Sequence, residues 1–598
     1  MSQQIQKRVS ALRNFLEAKN LHAFIIPSSD IHQSEYPPAH WSGREWISGF
    51  SGSAGTVVVT RNEAGLWTDS RYFLQAEEEL RGTGIDLFRD RLPQTPTIAQ
   101  WLSSVLQNGD RVGVDGNVYS AKDVIALKRT LSPNGLEVNT EYDPFEVIWA
   151  DRPFIPKNPV FEMPIEFSGV PVSAKINQIN TALQTLGADG LLMASLDTLA
   201  WLFNLRGNDV PYNPVFVAFG YVSLKETVLF LYPEKLNQDI VAHLQQQGVV
   251  IAHYDKIFDY LATLKNVTVY LQSDRISYSL FQEVQRNNNI VDGISPADIF
   301  KSQKNESEIG GFRNAMIKDG VALVKFFRWL EDAVPKGDVT EYLVSRKLFE
   351  FRIQQQLFAG ESFATIAGFQ ENGAIVHYHA DEHRSKKISN EGLLLIDSGA
   401  QYFDGTTDIT RTVALGALSS DMKQDYTLVL KGHIALASAC FPAGTRGAQL
   451  DMLARQFMWQ KGVNYLHGTG HGIGHFLNVH EGPQSIRMEE NPVSLEPGMV
   501  LSNEPGIYRA GRYGIRIENL MVVQKNFTTD FGDFYHFQTL TLCPIDTAPL
   551  SLDMLSKDEI NWLNAYHQGV FEALSPCLGE EEVEWLKIKT KELPDGSL

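Results

Sequence analysis

The sequence predicts an α/β chain, α+β in its last part, built from several domains. Two α/β segments come first, and a larger region of long helices followed by strands comes after them. Three observations carry this reading. The 598 residues exceed what one hydrophobic core organises. The first two segments repeat a pattern: "NLHAFIIPSSD" then "REWISGFSGSAGTVVV" is matched by "GADGLLMASLD" then "LAWLFNLRGNDVPYNPVFVAFG". Near residue 306 the texture changes to apolar positions at helical spacing.

Taken in order, "MSQQIQKRVSALRNFLEAKN" has charges throughout an amphipathic helical pattern, so it reads as a helix and not as a signal peptide. "HAFIIPS" and "GTVVVT" read as strands. The stretch "DRPFIPKNPVFEMPIEFSGVP" carries five prolines, which break any regular element and mark a boundary. Domain I is therefore expected over 1–155 and domain II over 156–305. In the third region, 306–598, "KNESEIGGFRNAMIKDGVALVKFFRWLEDAV" and "DVTEYLVSRKLFEFRIQQQ" read as long helices. After about residue 390, "GLLLIDSG", "TTDITRTVAL", "GMVLSNEPGIY" and "GIRIENLMVV" read as strands, with "YFDG" and "RAGRYG" as turns. An extension from about residue 536 ends in helical stretches such as "SKDEINWLNAYHQGVFEAL".

The composition excludes several classes of function. A formal net charge of −19 with no basic run argues against nucleic acid or an anionic membrane as partner. The three cysteines are far apart, so neither a disulfide framework nor a CxxC metal knuckle is readable. No apolar run is long enough to span a bilayer. The expected address is the cytoplasm.

Four of the fifteen histidines lie in "HGTGHGIGHFLNVH", residues 467–480. His467, His471 and His475 fall four apart, as on one helical face, but the glycines between them are poor helix material. Carboxylates elsewhere supply a reason for the crowding. Asp397 closes the strand "LLLID", and Asp408 opens "DITRTVAL" after the turn "FDGT", an arrangement that brings the two acids together as a hairpin or tight meander. Alone, each reads better as a turn or strand-end aspartate, since turn aspartates are common. Glu504 stands in "LSNEPGIY". Glu518 reads as lying inside the apolar strand "GIRIENLMVV", on one face with Arg516 by period two, where a buried Arg–Glu pair is the structural alternative. Four carboxylates balance the charge of two divalent cations. With one imidazole from the glycine-rich stretch they form an oxygen-rich dinuclear set suited to Mn²⁺, Co²⁺ or Zn²⁺. Two such ions roughly 3.5–4 Å apart share and activate a bridging water as hydroxide.

The order Asp, Asp, His, Glu, Glu in "LIDSGAQYFDGTTDITRT", "HGTGHGIG", "SNEPGIY" and "GIRIEN" resembles the metallopeptidases of the pita-bread fold. More closely, it resembles the three-domain, cytosolic type of Xaa-Pro aminopeptidase, with two creatinase-like α/β domains before the catalytic one. "IIPSSDIHQSEY", "SGFSGSAGT", "LWTDSRYFLQA", "LAWLFNLRG", "NGAIVHYH" and "FLNVHEGP" extend the resemblance over nearly the whole chain. It implies a metal-dependent exopeptidase that releases the first residue of Xaa-Pro-Yaa peptides through a hydroxide bridging two metals, most often Mn²⁺. It implies Asp397, Asp408, His471, Glu504 and Glu518 as ligands, with Asp408 and Glu518 shared by the two ions and Arg516 holding a ligand carboxylate in place. His377 and His480 would contact groups around the scissile bond, and His467 would stand near the proline side. Glu504 would also relay a proton to the leaving nitrogen. Arg71 would approach the mouth of the site or a partner subunit, and the assembly would be a homodimer. His475, His379 and His383 read as packed or surface residues.

Two other readings compete. Prolidase shares the five ligands but usually has one N-terminal domain and cleaves only dipeptides. A non-catalytic peptide-binding protein on the same fold tends to lose ligands, whereas this chain retains all five.

Overall fold

The computed structural model describes residues 2–383 and 385–594. Its contacts divide the chain into two compact units. One holds the residues up to 164 together with 170–299. The other holds 165–169 and the residues from 300 onward.

The first unit opens with helix α1 (Ser2–Ala18), which buries Ile5, Val9, Leu12, Phe15 and Leu16, one face of a 3.6-residue period. That face covers a mixed sheet of β1 (Ala23–Pro27), β2 (Thr56–Thr60), β3 (Ala64–Thr68), β4 (Asp86–Arg89), β5 (Arg111–Val114) and β6 (Glu137–Asn139), in the spatial order β4-β3-β2-β1-β5-β6. A second sheet follows: β7 (Gly190–Met193), β8 (Phe219–Ser223), β9 (Thr227–Leu231), β10 (Val249–His253), β11 (Thr268–Leu271) and β12 (Asn289–Asp292), ordered β10-β9-β8-β7-β11-β12. The two orders are the same. So are the senses of pairing. In each sheet the first three strands run antiparallel, while the fourth, fifth and sixth join in parallel. The tight turns at 61–63 and 224–226 allow the antiparallel pairs, and helical crossovers build the parallel ones. The repeat seen in the sequence is thus a repeat of topology.

In the second unit, helix α2 (Glu306–Ala333) starts at a capping box in which Asn305 and Glu308 satisfy each other's backbone N–H groups. Asn305 Nδ2 also donates to the carbonyl of Ser168 (2.9 Å), which ties 165–169 to this unit. Helix α3 (Glu341–Arg352) follows. Beyond it β13 (Ile366–Phe369), β14 (Leu393–Ser398) and β15 (Ile409–Ala414) form an antiparallel sheet in that order, beside a separate small sheet of Phe358–Glu361, Ala400–Tyr402 and Gly405–Thr406. A six-stranded sheet is made of β16 (Cys440–Pro442), β17 (Gly470–Gly472), β18 (Glu481–Ile486), β19 (Val500–Asn503), β22 (Asn519–Thr529) and β23 (Gly532–Thr539), ordered β16-β23-β22-β19-β17-β18. Between β19 and β22 the chain makes the separate hairpin β20 (Gly506–Arg509) and β21 (Tyr513–Arg516). Phe312 and Met316 of α2 pack with Ile473, Val479, Val500, Leu520 and Val522. The histidine-rich stretch is therefore anchored in a core, each such side chain contributing about 1.5–3 kcal/mol by burial. The extension carries helix α4 (Lys557–Leu574) and, after it, helix α5 (Glu580–Lys589). No described helix is long and apolar enough to cross a membrane.

Candidate metal centre

The five predicted ligands come from five different places in the second unit. Asp397 lies on β14 opposite Thr410, and Asp408 directly precedes β15. His471 is the middle residue of the short strand β17. Glu504 and Glu518 each stand in a two-residue break, between β19 and β20 and between β21 and β22. The expectation that Glu518 lies inside one continuous strand is corrected here. The chain leaves the six-stranded sheet at Glu504, makes the hairpin, and rejoins the sheet after Glu518. At each changeover the ladder is suspended. The freed backbone finds other partners: Glu504 N–H donates to Thr469 O (2.8 Å) and Glu518 N–H to Thr410 O (3.1 Å). Buried Arg411 adds a bond from Nη1 to Glu518 O (2.7 Å).

Glycines make the imidazole placement possible, through close packing and not through flexibility. A Cβ on Gly470 would lie 2.1 Å from Ser502 O. One on Gly472 would meet Glu481 O at 2.4 Å. Only a backbone without side chains brings His471 this near to its neighbouring strands.

Asp408, His471 and Glu518 offer ligand atoms that all lie within 4.8 Å of one another. His471 Nδ1 is 3.0 Å from the carbonyl of Gly472. A carbonyl cannot donate, so Nδ1 carries the hydrogen and Nε2 is turned toward the acids. Nε2 lies 3.5 Å from both Asp408 Oδ2 and Glu504 Oε1, at the outer limit of a hydrogen bond. The acids face few cations. Burial raises the Asp397 carboxyl, with Arg516 opposing and Asp408 adding to the shift. Glu504 is pushed up to about 7, first by burial, with His471 and Arg516 opposing and Asp408 and Asp397 reinforcing. Glu518 rises well above the carboxylate range through burial and its three acidic neighbours. His471 is held up at about 9: burial works against the imidazolium, but Asp408 and Glu504 outweigh it. Asp397 Oδ1 is buried and has no hydrogen-bond partner among the described residues. Crowded, desolvated carboxylates, one with an unused oxygen, and an imidazole whose Nε2 faces two of them fit a divalent metal site, and the donor set suits a borderline-to-hard ion.

Arg516 pairs with Asp397 (Nη2 to Oδ2, 2.5 Å) and not with Glu518, which rules out the simple Arg–Glu pair. Its Nε donates to Thr410 Oγ1 (3.0 Å), and that hydroxyl donates to Glu518 Oε2 (2.7 Å). Its Nη1 donates to Tyr508 OH (2.8 Å). Tyr508 in turn lies 2.8 Å from His467 Nε2, while His467 Nδ1 sits 2.7 Å from Gly468 O. The directions are forced: Nδ1 donates to the carbonyl, so Tyr508 gives its proton to Nε2. One guanidinium thus orders Asp397 directly and His467 through Tyr508. Sequence reasoning missed Thr410 and Tyr508. Thr410 was detectable, because it shares a strand face with Asp408 by period two. Tyr508 had no such signal.

The ring of His480 stands edge-on to that of His471, with centroids 4.4 Å apart. The next residue, Glu481, is buried between Lys304, with which it forms an ion pair, and Lys301 (3.4 Å). His377 is half-buried in a turn, and the carbonyl of the preceding Val376 lies 3.5 Å from Arg516 Nη2. His475 is buried, with Nε2 3.0 Å from Asp404 O and its ring against Phe312. His379 and His383 are exposed. Arg71 belongs to the first unit, where its Nε and Nη2 donate to Asp69 at 2.9 and 2.8 Å.

Comparison with known proteins agrees with this geometry. Residues 310–525 match the model of metallopeptidase family M24 and 533–593 its C-terminal region, while 8–141 and 151–308 match creatinase/prolidase N-terminal domains. Xaa-Pro aminopeptidase 1 of Dictyostelium discoideum is 41% identical over 611 aligned residues, covering 98% of this chain and 97% of that protein. The crystal structure of X-prolyl aminopeptidase from Caenorhabditis elegans, described as a cytosolic enzyme with a di-nuclear active site, superposes with a TM-score of 0.94 at 33% identity. It covers 99% of this chain and 100% of that one. Xaa-Pro dipeptidase from Bacillus anthracis, at 24% identity and a TM-score of 0.50, covers 63% of this chain and shows the fold alone. The chain belongs to the Xaa-Pro aminopeptidase group of the pita-bread metallopeptidases, family M24, with creatinase-like N-terminal domains.

Proposed function

We propose that this protein is a metal-dependent exopeptidase that removes the N-terminal residue from peptides with proline in second position. The observation that carries this reading is the cluster of Asp408, His471 and Glu518, with ligand atoms within 4.8 Å of one another, together with Glu504 3.5 Å from His471 and a buried Asp397 oxygen without a hydrogen-bond partner among the described residues. It lies in a chain 41% identical, over nearly its whole length, to an Xaa-Pro aminopeptidase. Asp397, Asp408, His471, Glu504 and Glu518 would hold two divalent ions, taken as Mn²⁺ from the oxygen-rich donor set, with Co²⁺ and Zn²⁺ as alternatives. When bound, such ions supply Lewis acidity and lower the pKa of a coordinated water until it can act as a nucleophile near neutral pH.

The remaining work falls to the chain's own residues. Proline's amide has no N–H, so its leaving nitrogen must gain a proton as the bond breaks. Glu504 is assigned to carry that proton. His480, whose ring packs against that of His471, is assigned to donate to the developing oxyanion. His377 is assigned to the other side of the scissile bond. His467, oriented by Tyr508, faces the proline side. The free α-amine of the substrate would be anchored at this same cluster, near a metal and acidic groups, which limits the enzyme to one residue at a time. Arg516 holds Asp397 in place.

We further infer a cytoplasmic homodimer with domains at 1–155, 156–305 and 306–598. The cytosolic description of the Caenorhabditis elegans enzyme supports the address, and the two sheets of identical order support the first boundary. The test of function is hydrolysis of Arg-Pro-Pro with and without added Mn²⁺, beside Arg-Ala-Pro. Release of arginine from Arg-Pro-Pro that stops in chelator and returns with Mn²⁺ is expected. Hydrolysis confined to Xaa-Pro dipeptides would make the protein a prolidase, and comparable kcat/KM for Arg-Ala-Pro would refute the proline specificity.

A further inference from the structure

His377 lies on a segment that leaves β13 at Phe369 and returns to the body of the unit at Lys386. Both ends of this segment, and its middle, converge on one buried side chain. Glu341, the first residue of α3, is 0% exposed. Its Oε1 accepts from the backbone N–H of Phe369 (2.8 Å) and from Asn372 Nδ2 (3.0 Å). Its Oε2 accepts from Tyr378 OH (2.8 Å), from the backbone N–H of Lys386 (2.9 Å) and from Asn372 Nδ2 (3.2 Å). Asn372 Nδ2 also reaches Tyr378 OH (3.1 Å). The backbone is stitched at the same place. Glu341 N–H donates to Lys386 O (3.0 Å), Ile388 N–H to Val339 O (2.9 Å), and Tyr342 N–H to Ser385 Oγ (2.7 Å).

Only a carboxylate suits this position. It offers two oxygens with about four lone-pair sites and no hydrogen, and it meets donors from four residues. An amide would turn its own N–H₂ against backbone N–H groups that have no second choice. Charge-assisted bonds of this kind are the stronger ones, so the carboxylate is held as well as holding. The segment is also pressed against β21 and β13: Cβ atoms on Gly514 of β21 or Gly368 of β13 would collide with Gly373 backbone atoms at 1.7 and 2.7 Å. The tie and the glycine contact leave the turn at 375–378 little freedom.

We propose that Glu341 is a positioning residue for the reaction: by joining the start, middle and end of segment 369–386 it sets where His377 stands against the substrate. The proposal rests on the assignment of His377 to the substrate cleft. Glu341 itself touches neither a metal ligand nor the reacting atoms.

The test is a double-mutant cycle in the metal-loaded enzyme, read as kcat, KM and metal content on Arg-Pro-Pro for wild type, Glu341→Gln, His377→Ala and the double variant. Glu341→Gln is expected to keep the full metal complement and lose about 10–10²-fold in kcat, the scale of a misplaced catalytic contact. In the His377→Ala background the same change should cost less than about 2-fold, because there is no imidazole left to misplace. Independent, multiplicative losses would overturn the proposal and leave Glu341 a purely structural residue, as would joint loss of metal and activity in Glu341→Gln. Wild-type kcat in His377→Ala alone would refute the assignment of His377 and the proposal with it, whereas multiplicative losses refute only the proposal. If Glu341→Gln does not fold, Tyr378→Phe takes its place in the cycle, with an expected loss of about 3–10-fold and the same outcomes.

Discussion

Glu341 and Glu518 are both fully buried carboxylates of the second unit, at 0% and 1% exposure, and they differ in what faces them. Glu341 is met by neutral donors from Phe369, Asn372, Tyr378 and Lys386. Glu518 takes a hydroxyl from Thr410 and otherwise faces Asp408, Glu504 and Asp397, with Arg516 the opposing charge. Protein dipoles settle the cost of burying the first. Nothing of the kind settles the second, whose carboxyl is pushed well up by burial and its acidic neighbours. A buried acid surrounded by donors reads as structural or positioning; a buried acid surrounded by acids is a candidate metal ligand.

The largest effect expected from this contrast is on the crowded side. Asp408→Asn removes one of four negative charges and should abolish metal retention and activity together. That is a loss on the order of 10³-fold or more, since Lewis-acid stabilisation is worth several kcal/mol. Metal analysis beside kcat decides the matter: full metal content in an inactive Asp408→Asn protein would separate Asp408 from the ion. His480→Ala and His377→Ala should keep their metal and lose about 10²–10⁴-fold in kcat, the range for a positioned acid–base or hydrogen-bonding group. An empty site in His480→Ala would make that histidine a ligand instead. Arg516→Lys cannot reach Asp397, Thr410 and Tyr508 at once. It should weaken metal affinity by about 10–100-fold, measured by competition with a chelator, and unchanged affinity would contradict its ordering role.

A smaller effect is electrostatic. In the metal-free protein, the Glu504 carboxyl stands at about 7 against an ordinary 4.5, and His471 at about 9 against 6.5. Both folded values are raised, so the folded state binds more protons than the unfolded one. The stability this contributes is present in full below the unfolded values. It is lost as pH rises from 4.5 to 7 for Glu504 and from 6.5 to 9 for His471. The chelated protein should therefore lose Tm from pH 5 to 9 more steeply than the loaded one, whose ligands are already deprotonated. Parallel Tm profiles would remove the argument from crowding. The least change in activity is expected for His475→Ala: kcat within about 2-fold, with stability reduced by about 1–3 kcal/mol for a buried, hydrogen-bonded ring. Loss of activity on the scale of His480→Ala would bring His475 into the site.

What the sequence determined by itself were the features that depend on neighbours in the chain. Helical periods marked α1 and α2, and the five prolines of 151–171 announced the break after the first sheet. The parallel between "NLHAFIIPSSD" and "GADGLLMASLD" foreshadowed two sheets of one topology. The residue types of the donor set were also legible, because four acids among apolar strands beside glycine-spaced histidines are chemically costly without a cation. Tertiary structure decided everything that depends on which distant strand lies alongside. Glu504 and Glu518 stand in breaks because the chain changes sheets there, and period-two alternation carries no sign of a changeover. Arg516 takes Asp397, 119 positions away, in preference to Glu518 two positions on. Glu341 stands at the start of α3, and nothing near it in the chain marks that Phe369, Asn372, Tyr378 and Lys386 return to it. Local propensity acts over a few residues, whereas sheet register and the return of a long segment are set by packing across the whole unit.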